Sequence, residues 1–293
     1  MRLVPTYQPR PTPLHSARAG VTTSFCAALA LVPLLYDSPL ALLGGLAAVV
    51  LAGVAASVGA ELGRAARLTV PLALLIVLVN PLVYREGETL LIRGGEVLGY
   101  RIEITLEALA YGGAAALRLF VLAMALALFS ACVDPDDLLR LVRRVSYRSA
   151  LTASLATRLA PVLARDALRM SDAARCRPQP PARAAVARAT LAGALDRAVE
   201  VAAALELRGY ASAGRPPRYA TAWSRHDVRV AACAAAIALI AVVTRVAGAG
   251  AFDAYPSLEV GANPADVATL VLLPLFALAP FAGARARLGV AHA

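Results

Sequence analysis

Six stretches of the chain are apolar over about the ~20 residues, sometimes ~17, that a helix needs to cross a bilayer. They are Val21–Tyr36, Leu40–Ala60, Leu68–Val83, Leu106–Val133, Val228–Ala247 and Val267–Phe281. The first and last are short, and the fourth is long and contains Arg118. Between the fourth and the fifth lies Asp134–His226, the only large polar segment. Its composition is helical, rich in Ala, Leu, Arg and Val, with a loop at "ASAGRPPRYA". "VDPDDLLRLVRRV" opens it, with Asp134 suited to an N-cap and Pro135 to the first helical position. A helix from about Ser149 to Cys176 follows, and Pro161 is expected to bend it. "RPQPPAR" (Arg177–Arg183) breaks the chain, and a second helix runs from about Ala184 to Arg208. Leu191, Leu195, Ala198, Ala202 and Leu205 recur at helical spacing and form one apolar stripe. Gly209 is placed to end that helix in the left-handed conformation.

Composition supports a membrane protein. The chain of 293 residues is 59% hydrophobic, with a mean hydropathy of +0.67; soluble domains sit near 45–50% apolar. The pattern therefore predicts an all-α, polytopic integral membrane protein with about six transmembrane helices and a cytoplasmic helical region. Residues 1–133 form a four-span part, 134–226 the helical region and 227–293 a two-span part. Val21–Tyr36 is read as a span rather than the apolar core of a signal peptide, because the tail before it is long, polar and Pro-rich.

Charge orients the spans. The net charge is +10, and every basic side chain is Arg. Arg2, Arg10 and Arg18 precede the first span, Arg64 and Arg67 lie between the second and third, and Arg285 and Arg287 follow the sixth. More than half of the Arg residues fall in Asp134–His226. Positive charge collects on the cytoplasmic side of short loops, so both termini and the long polar segment are expected there, in a bacterial inner membrane. The basic excess without a zinc-finger, RNP or helix-turn-helix pattern does not point to nucleic acid.

Candidate chemistry is sparse. The four Cys and three His are scattered, so no metal site and no cofactor is expected. GxxxxGK[ST] is absent, which excludes nucleotide binding of the P-loop kind by this chain. "DPDD" (Asp134–Asp137) has no second acidic cluster facing it, as Mg²⁺-diphosphate chemistry would require, and reads as helix capping. Arg118 is either a functional intramembrane charge or a side chain snorkelling to the outer interface. Asn80–Pro81, near the outer end of the third span, is either a kink or a place where a freed carbonyl meets a neighbour. Two helix ends stand out: "SDAARCRP" (Ser171–Pro178) and "ALELRGY" (Ala204–Tyr210). Each terminates in Arg. A cation at a helix C-terminus is favourable against the dipole by itself. Two such ends in one polar segment also suit a paired recognition surface, since the guanidinium fork docks on carboxylates or carbonyls of a partner.

"AAALELRGY" resembles the A-M-E-A-R-G-Y segment of the transmembrane T component of energy-coupling-factor (ECF) transporters, the cobalt-transporter Q protein family. "RLAPVLARDALRMSDAARCRP" resembles that family's R-x-x-P…A-x-x-A-R-G helix, "TPLHSARAG" its S-P-L-H opening, and "LVNPLVYREG" its third-span N-P-L…G segment. The resemblance spans roughly Pro11 to Arg215. It implies a non-catalytic scaffold and coupling subunit of an ATP-driven importer of vitamins or metal ions such as cobalt. Its partners would be two ABC ATPase subunits, or one fused chain, and a substrate-capturing S component in the lipid bilayer. Carried over, the ATPase-docking residues are Ala174, Arg175 and Cys176, then Leu207, Arg208 and Gly209, with Arg158, Pro161, Glu206 and Tyr210 supporting the helices. Cys176 stands where the family has Gly, and Leu207 where it has Ala. The sixth span is additional to the five most common in the family. The alternative expectations are a stand-alone secondary transporter, with Arg118, Asn80 and Pro81 as its intramembrane residues, and a membrane enzyme of the prenyltransferase type.

Overall fold

A computed structural model describes residues 7–83, 90–97, 100–142, 147–179, 181–209, 223–248 and 263–282. The elements in chain order are α1 (Pro13–Ser16), α2 (Ala19–Leu35), α3 (Pro39–Ala55), α4 (Gly59–Val83), β1 (Leu90–Val97), β2 (Tyr100–Thr105), α5 (Leu106–Cys132), α6 (Pro135–Val142), α7 (Tyr147–Arg175), α8 (Arg183–Leu207), α9 (Arg225–Val246) and α10 (Pro264–Leu278), the last followed by a 3-10 turn at Ala279–Phe281. They fall into two units, residues 1–138 with 223–293, and residues 139–222.

The first unit is the membrane part. Among the described residues, α4, α5, α9 and α10 with its 3-10 turn are long and apolar enough to span a bilayer, and α2 and α3 are apolar helices of 17 residues each. Each expected span has its helix, so the protein is an all-α, polytopic membrane protein. Two boundaries differ from the sequence pattern. The second span stops at Ala55 because Ser57 turns the chain at φ 61, with the Val58 N–H bonding back to the Gly53 carbonyl at 2.9 Å. The third begins at Gly59 and so gains a polar first turn containing Glu61.

Caps start the helices. Pro39 opens α3, and the Thr105 hydroxyl accepts from the Ala108 N–H in α5. Asn263 caps α10, followed by Pro264 at its first position. Ser224 and Asp227 form a complete capping box on α9. Prolines at 33, 71, 81 and 274 lie inside helices, as membrane helices tolerate.

α4 packs along α5, α3 on α10, and α2 on both α5 and α9. Phe25, Leu29, Leu42, Leu128, Ile237 and Leu273 are fully buried in the resulting core. The α3–α10 seam is close because Gly44 carries no side chain; a Cβ there would lie 2.7 Å from the Leu270 Cα. The sixth span is therefore built into the bundle. α4 instead exposes Leu72, Leu74, Leu75 and Leu78, the pattern of a helix facing hydrocarbon.

One element adds to the all-α expectation. β1 and β2 pair antiparallel between α4 and α5, from Leu90 opposite Thr105 to Val97 opposite Tyr100, with irregularities between Leu90 and Ile92 and between Arg93 and Glu96.

The second unit is a helical hairpin of α7 and α8, inserted by α6 after α5 and returning to α9. It contains fifteen arginines against five acidic residues, a balance of +10 that equals the net charge of the whole chain. The membrane unit is electrically balanced.

Candidate functional site: two arginine-tipped helices

α7 runs unbroken for 29 residues through Pro161, whose carbonyl accepts from the Arg165 Nε at 3.1 Å. Two contacts fix its register against α8. The Arg197 Nη1 donates to the Asp166 Oδ2 at 2.8 Å, and the Thr190 hydroxyl donates to the Met170 sulfur at 3.4 Å. The helices thus run antiparallel. Towards the turn that joins them they leave a groove of about 720 Å³, lined by Ala167, Ser171, Ala174, Arg175, Val186 and Leu191 among others. No described residue of α8 is buried, and Leu191 and Leu195 of the apolar stripe lie open. The stripe is not a core of this unit.

Arg175 is the last residue of α7, largely exposed, with a loose 3.7 Å pair to Asp172 one turn back. The helix ends through Cys176, whose N–H reaches the Asp172 carbonyl at 3.3 Å, and Arg177, whose N–H reaches that of Ala174 at 3.3 Å. Cys176 does not take the left-handed conformation, so a Cβ is compatible with this end. Arg208 is the C-cap of α8. Gly209 follows at φ 78 and donates its N–H to the Glu206 carbonyl at 2.9 Å. Only glycine takes this conformation without cost. Leu207 is 91% exposed. Arg158 and Glu206 are exposed as well, and Tyr210 lies outside the described residues.

The two arginines do not meet. Arg175 lies beside Val186 near the start of α8, and the helix rises about 33 Å from there to Arg208. Each end is a separate cationic tip on its own helix.

Within the membrane unit, the Arg118 guanidinium forms an ion pair with Asp37 and donates to the Tyr36 carbonyl at 3.1 Å. The charge is thus matched at the end of α2. The Asn80 amide donates to the Ile76 carbonyl at 2.9 Å, four residues back in its own helix. Its Cβ sits where α5 has Gly112, 3.0 Å from the position of a Cβ there. Arg118 and Asn80 are each engaged locally, by different partners. Asp134 takes the capping role expected of it, its carboxylate accepting from the Asp136 N–H at 2.9 Å. Among the described residues no three His, Cys, Asp or Glu side chains converge to hold a metal ion.

Sequence reasoning passed over a third cluster. The N-terminal segment before α2 carries Arg10, His15 and Arg18, which meet Glu61 at the start of α4 and Asp227 at the start of α9. Both carboxylates are buried, 4% and 5% exposed. Arg10 donates to Glu61 Oε1 at 2.7 Å and to the Ser57 carbonyl. The only signal was a run of basic residues, which the positive-inside pattern had already absorbed.

Six apolar helices interrupted by a long, cationic helical hairpin define a multi-pass membrane protein with a non-membrane arm. That architecture agrees with the comparison of the sequence to known families. Residues 11–218 match the model of CbiQ, cobalt transport protein, and the chain belongs to that family. It is thus a membrane component of cobalt-type transport. No curated protein matches it.

Proposed function

We propose that this chain is the scaffold and coupling subunit of an ECF-type ABC importer, without catalytic residues of its own. The observation that carries the reading is the pair of exposed arginine tips, Arg175 and Arg208, held about 30 Å apart on two tied helices. That spacing suits two ATPase subunits, or the two halves of a fused chain, better than a single groove. In this mechanism each tip seats in one nucleotide-binding partner, with Ala174 and Cys176, and Leu207 and Gly209, as its flanks. When ATP binding and hydrolysis change the separation of the ATPases, α7 and α8 carry the displacement into the bundle. The bundle then reorients a bound S component, which releases a vitamin or metal ion inside. The arm and both termini face the cytoplasm of a bacterial cell, in keeping with the concentration of Arg in the arm.

The test is retention of partners. The chain is co-expressed with the ABC ATPase genes that neighbour its own and purified in detergent. Wild type is expected to retain the ATPases; Arg175→Glu combined with Arg208→Glu is expected to lose them while the chain still inserts into the membrane. Retention by the double variant overturns the reading. A stand-alone transporter is the competing reading, and ATP-independent uptake by the purified chain in liposomes would favour it. The local engagement of Arg118 and Asn80 counts against it.

A further inference from the structure

The arm is joined to the membrane unit by two stems. One is the end of α5, running through Cys132 into α6; the other is the start of α9, entered at Trp223. Among the described residues α5 and α9 do not pack along one another, and α2 lies against both. Packing between the stems is therefore slight at most.

The segment from Arg10 to Arg18 crosses this end of the bundle, bonded at the α3–α4 turn and at the start of α9 and packed against the end of α5. At the α3–α4 turn, Arg10 bonds the Ser57 carbonyl and Glu61, and Arg64 reaches the same Glu61 oxygen at 3.3 Å. At the end of α5 the contact is packing: Leu14 shares a buried cluster with Ala131 and Cys132, and the His15 ring lies near Ala131, its Nε2 unbonded and its Nδ1 2.5 Å from Thr12 Oγ1. At the start of α9, the His226 Nε2 donates to the Pro13 carbonyl at 2.6 Å. There the Arg18 N–H also donates to Asp227 Oδ1 at 3.1 Å, its Nε pairs with Oδ2 at 3.4 Å, and its guanidinium lies over Trp223, 5.6 Å from the ring centre. Leu14, 0% exposed, plugs the middle, and its carbonyl accepts from the Thr22 hydroxyl at 2.9 Å. Two buried carboxylates on different helices each take an arginine from this one segment. A buried charge left without its partner is costly, so these are fastenings rather than surface pairs.

We infer that Arg10–Arg18 is a clasp that sets the spacing of the two stems of the arm, with Arg10 and Arg18 as its positioning residues. The clasp bonds the α9 stem to the α3–α4 turn and packs against the α5 stem between them. Any displacement of the arm then reaches three helices at once instead of swinging one stem. The inference stands on contacts within the membrane unit and does not depend on which partner the arm binds.

Spin labels test it on the full chain in lipid nanodiscs, with Cys176→Ser and Cys233→Ser to remove accessible thiols. Asp137→Cys and Arg225→Cys, both at exposed positions, report the stem spacing. Leu34→Cys and Val243→Cys, exposed on α2 and α9 at the opposite end, report the bundle. With the clasp intact, the 137–225 distance is a single narrow distribution. Arg10→Ala with Arg18→Ala is expected to broaden it and shift it to longer distances while the 34–243 distribution stays as it was. Arg18→Lys, which keeps a cation opposite Asp227 and leaves the α9 cap intact, is expected to retain most of the narrow distribution that Arg18→Asp loses. An unchanged 137–225 distribution in the double alanine variant overturns the inference. So does equal broadening at both pairs, which would make the segment a general support of the bundle.

Discussion

Arg197 of α8 reaches across to Asp166 of α7 with one hydrogen-bonded ion pair, 2.8 Å from Nη1 to Oδ2. Both side chains are partly open, 39% and 26% exposed, so the pair contributes only about 0.5 kcal/mol after solvent screening. Its value is in the register it sets. Asp166→Ala is expected to change thermal stability little, and to raise amide hydrogen exchange across α8 by about two-fold, in line with that energy. Partner retention should weaken with it, since the two tips lose their fixed separation. Exchange in α8 indistinguishable from wild type would mean that the Thr190–Met170 contact and the groove packing hold the hairpin alone.

The two arginine ends should respond oppositely to glycine chemistry. Gly209 sits at φ 78, where a Cβ costs about 1 kcal/mol. Gly209→Ala should fray the last turn of α8 and weaken partner binding through Arg208. Cys176 needs no such conformation, so Cys176→Gly, although it restores the family's residue, should not strengthen binding. Affinity measured by titrating purified ATPase against each variant distinguishes the cases. A gain from Cys176→Gly would show that the α7 end changes shape when it docks.

His15 gives the clasp a pH dependence. Burial pushes its imidazole below the ordinary value and nearby Arg10 adds to this, while the Ala131 carbonyl and Glu61 act the other way. The folded clasp therefore favours the neutral ring. As pH falls below about 6.5, the unfolded chain takes up a proton that the folded one resists, and stability is lost until the lowered folded value is passed. Melting curves from about pH 8 to about pH 5 should show this decline, and His15→Gln should flatten it. An identical slope in the variant would assign the acid sensitivity to other groups.

The α3–α10 seam makes a prediction about the sixth span. A Cβ at position 44 would meet backbone at 2.7 Å, so Gly44→Ala should cost about 1–3 kcal/mol by overpacking. Gly193, in the open part of α8, has nothing within 4 Å of such a Cβ. There alanine should stabilise by up to about 1 kcal/mol through helix propensity. Thermal shifts of the two variants in detergent compare them directly. A harmless Gly44→Ala would mean that α10 can part from α3.

The spans were legible because apolar runs of bilayer length have few other uses, and the arm was legible from its caps and Arg ends. The end of α3 was not. "ASVGA" continues the apolar run, and the left-handed residue is Ser57 rather than a neighbouring Gly59. The strands were hidden by their charges, although Tyr100, Ile102 and Ile104 alternate with Arg101, Glu103 and Thr105 at the period of a strand. The pairings Arg10–Glu61, Arg118–Asp37 and Arg18–Asp227 were out of reach. Each joins residues far apart in sequence, and a single sequence records their charges without their neighbours. Arg118 read alone was therefore either a functional charge or a snorkelling side chain, and its counter-ion at the end of α2 could not be named.

The charge balance of the two units has a consequence for how the chain stays in its bilayer. The membrane part has no net charge of its own, and its preference for a face rests on where its arginines lie along the short loops. All of the +10 belongs to the inserted arm. Carrying one unit charge across a membrane against its potential takes about 2.3 kcal/mol per 100 mV, and the arm would carry ten such charges with it, on top of their desolvation. The arm is thus ballast: wherever synthesis leaves it, it keeps the molecule from turning over.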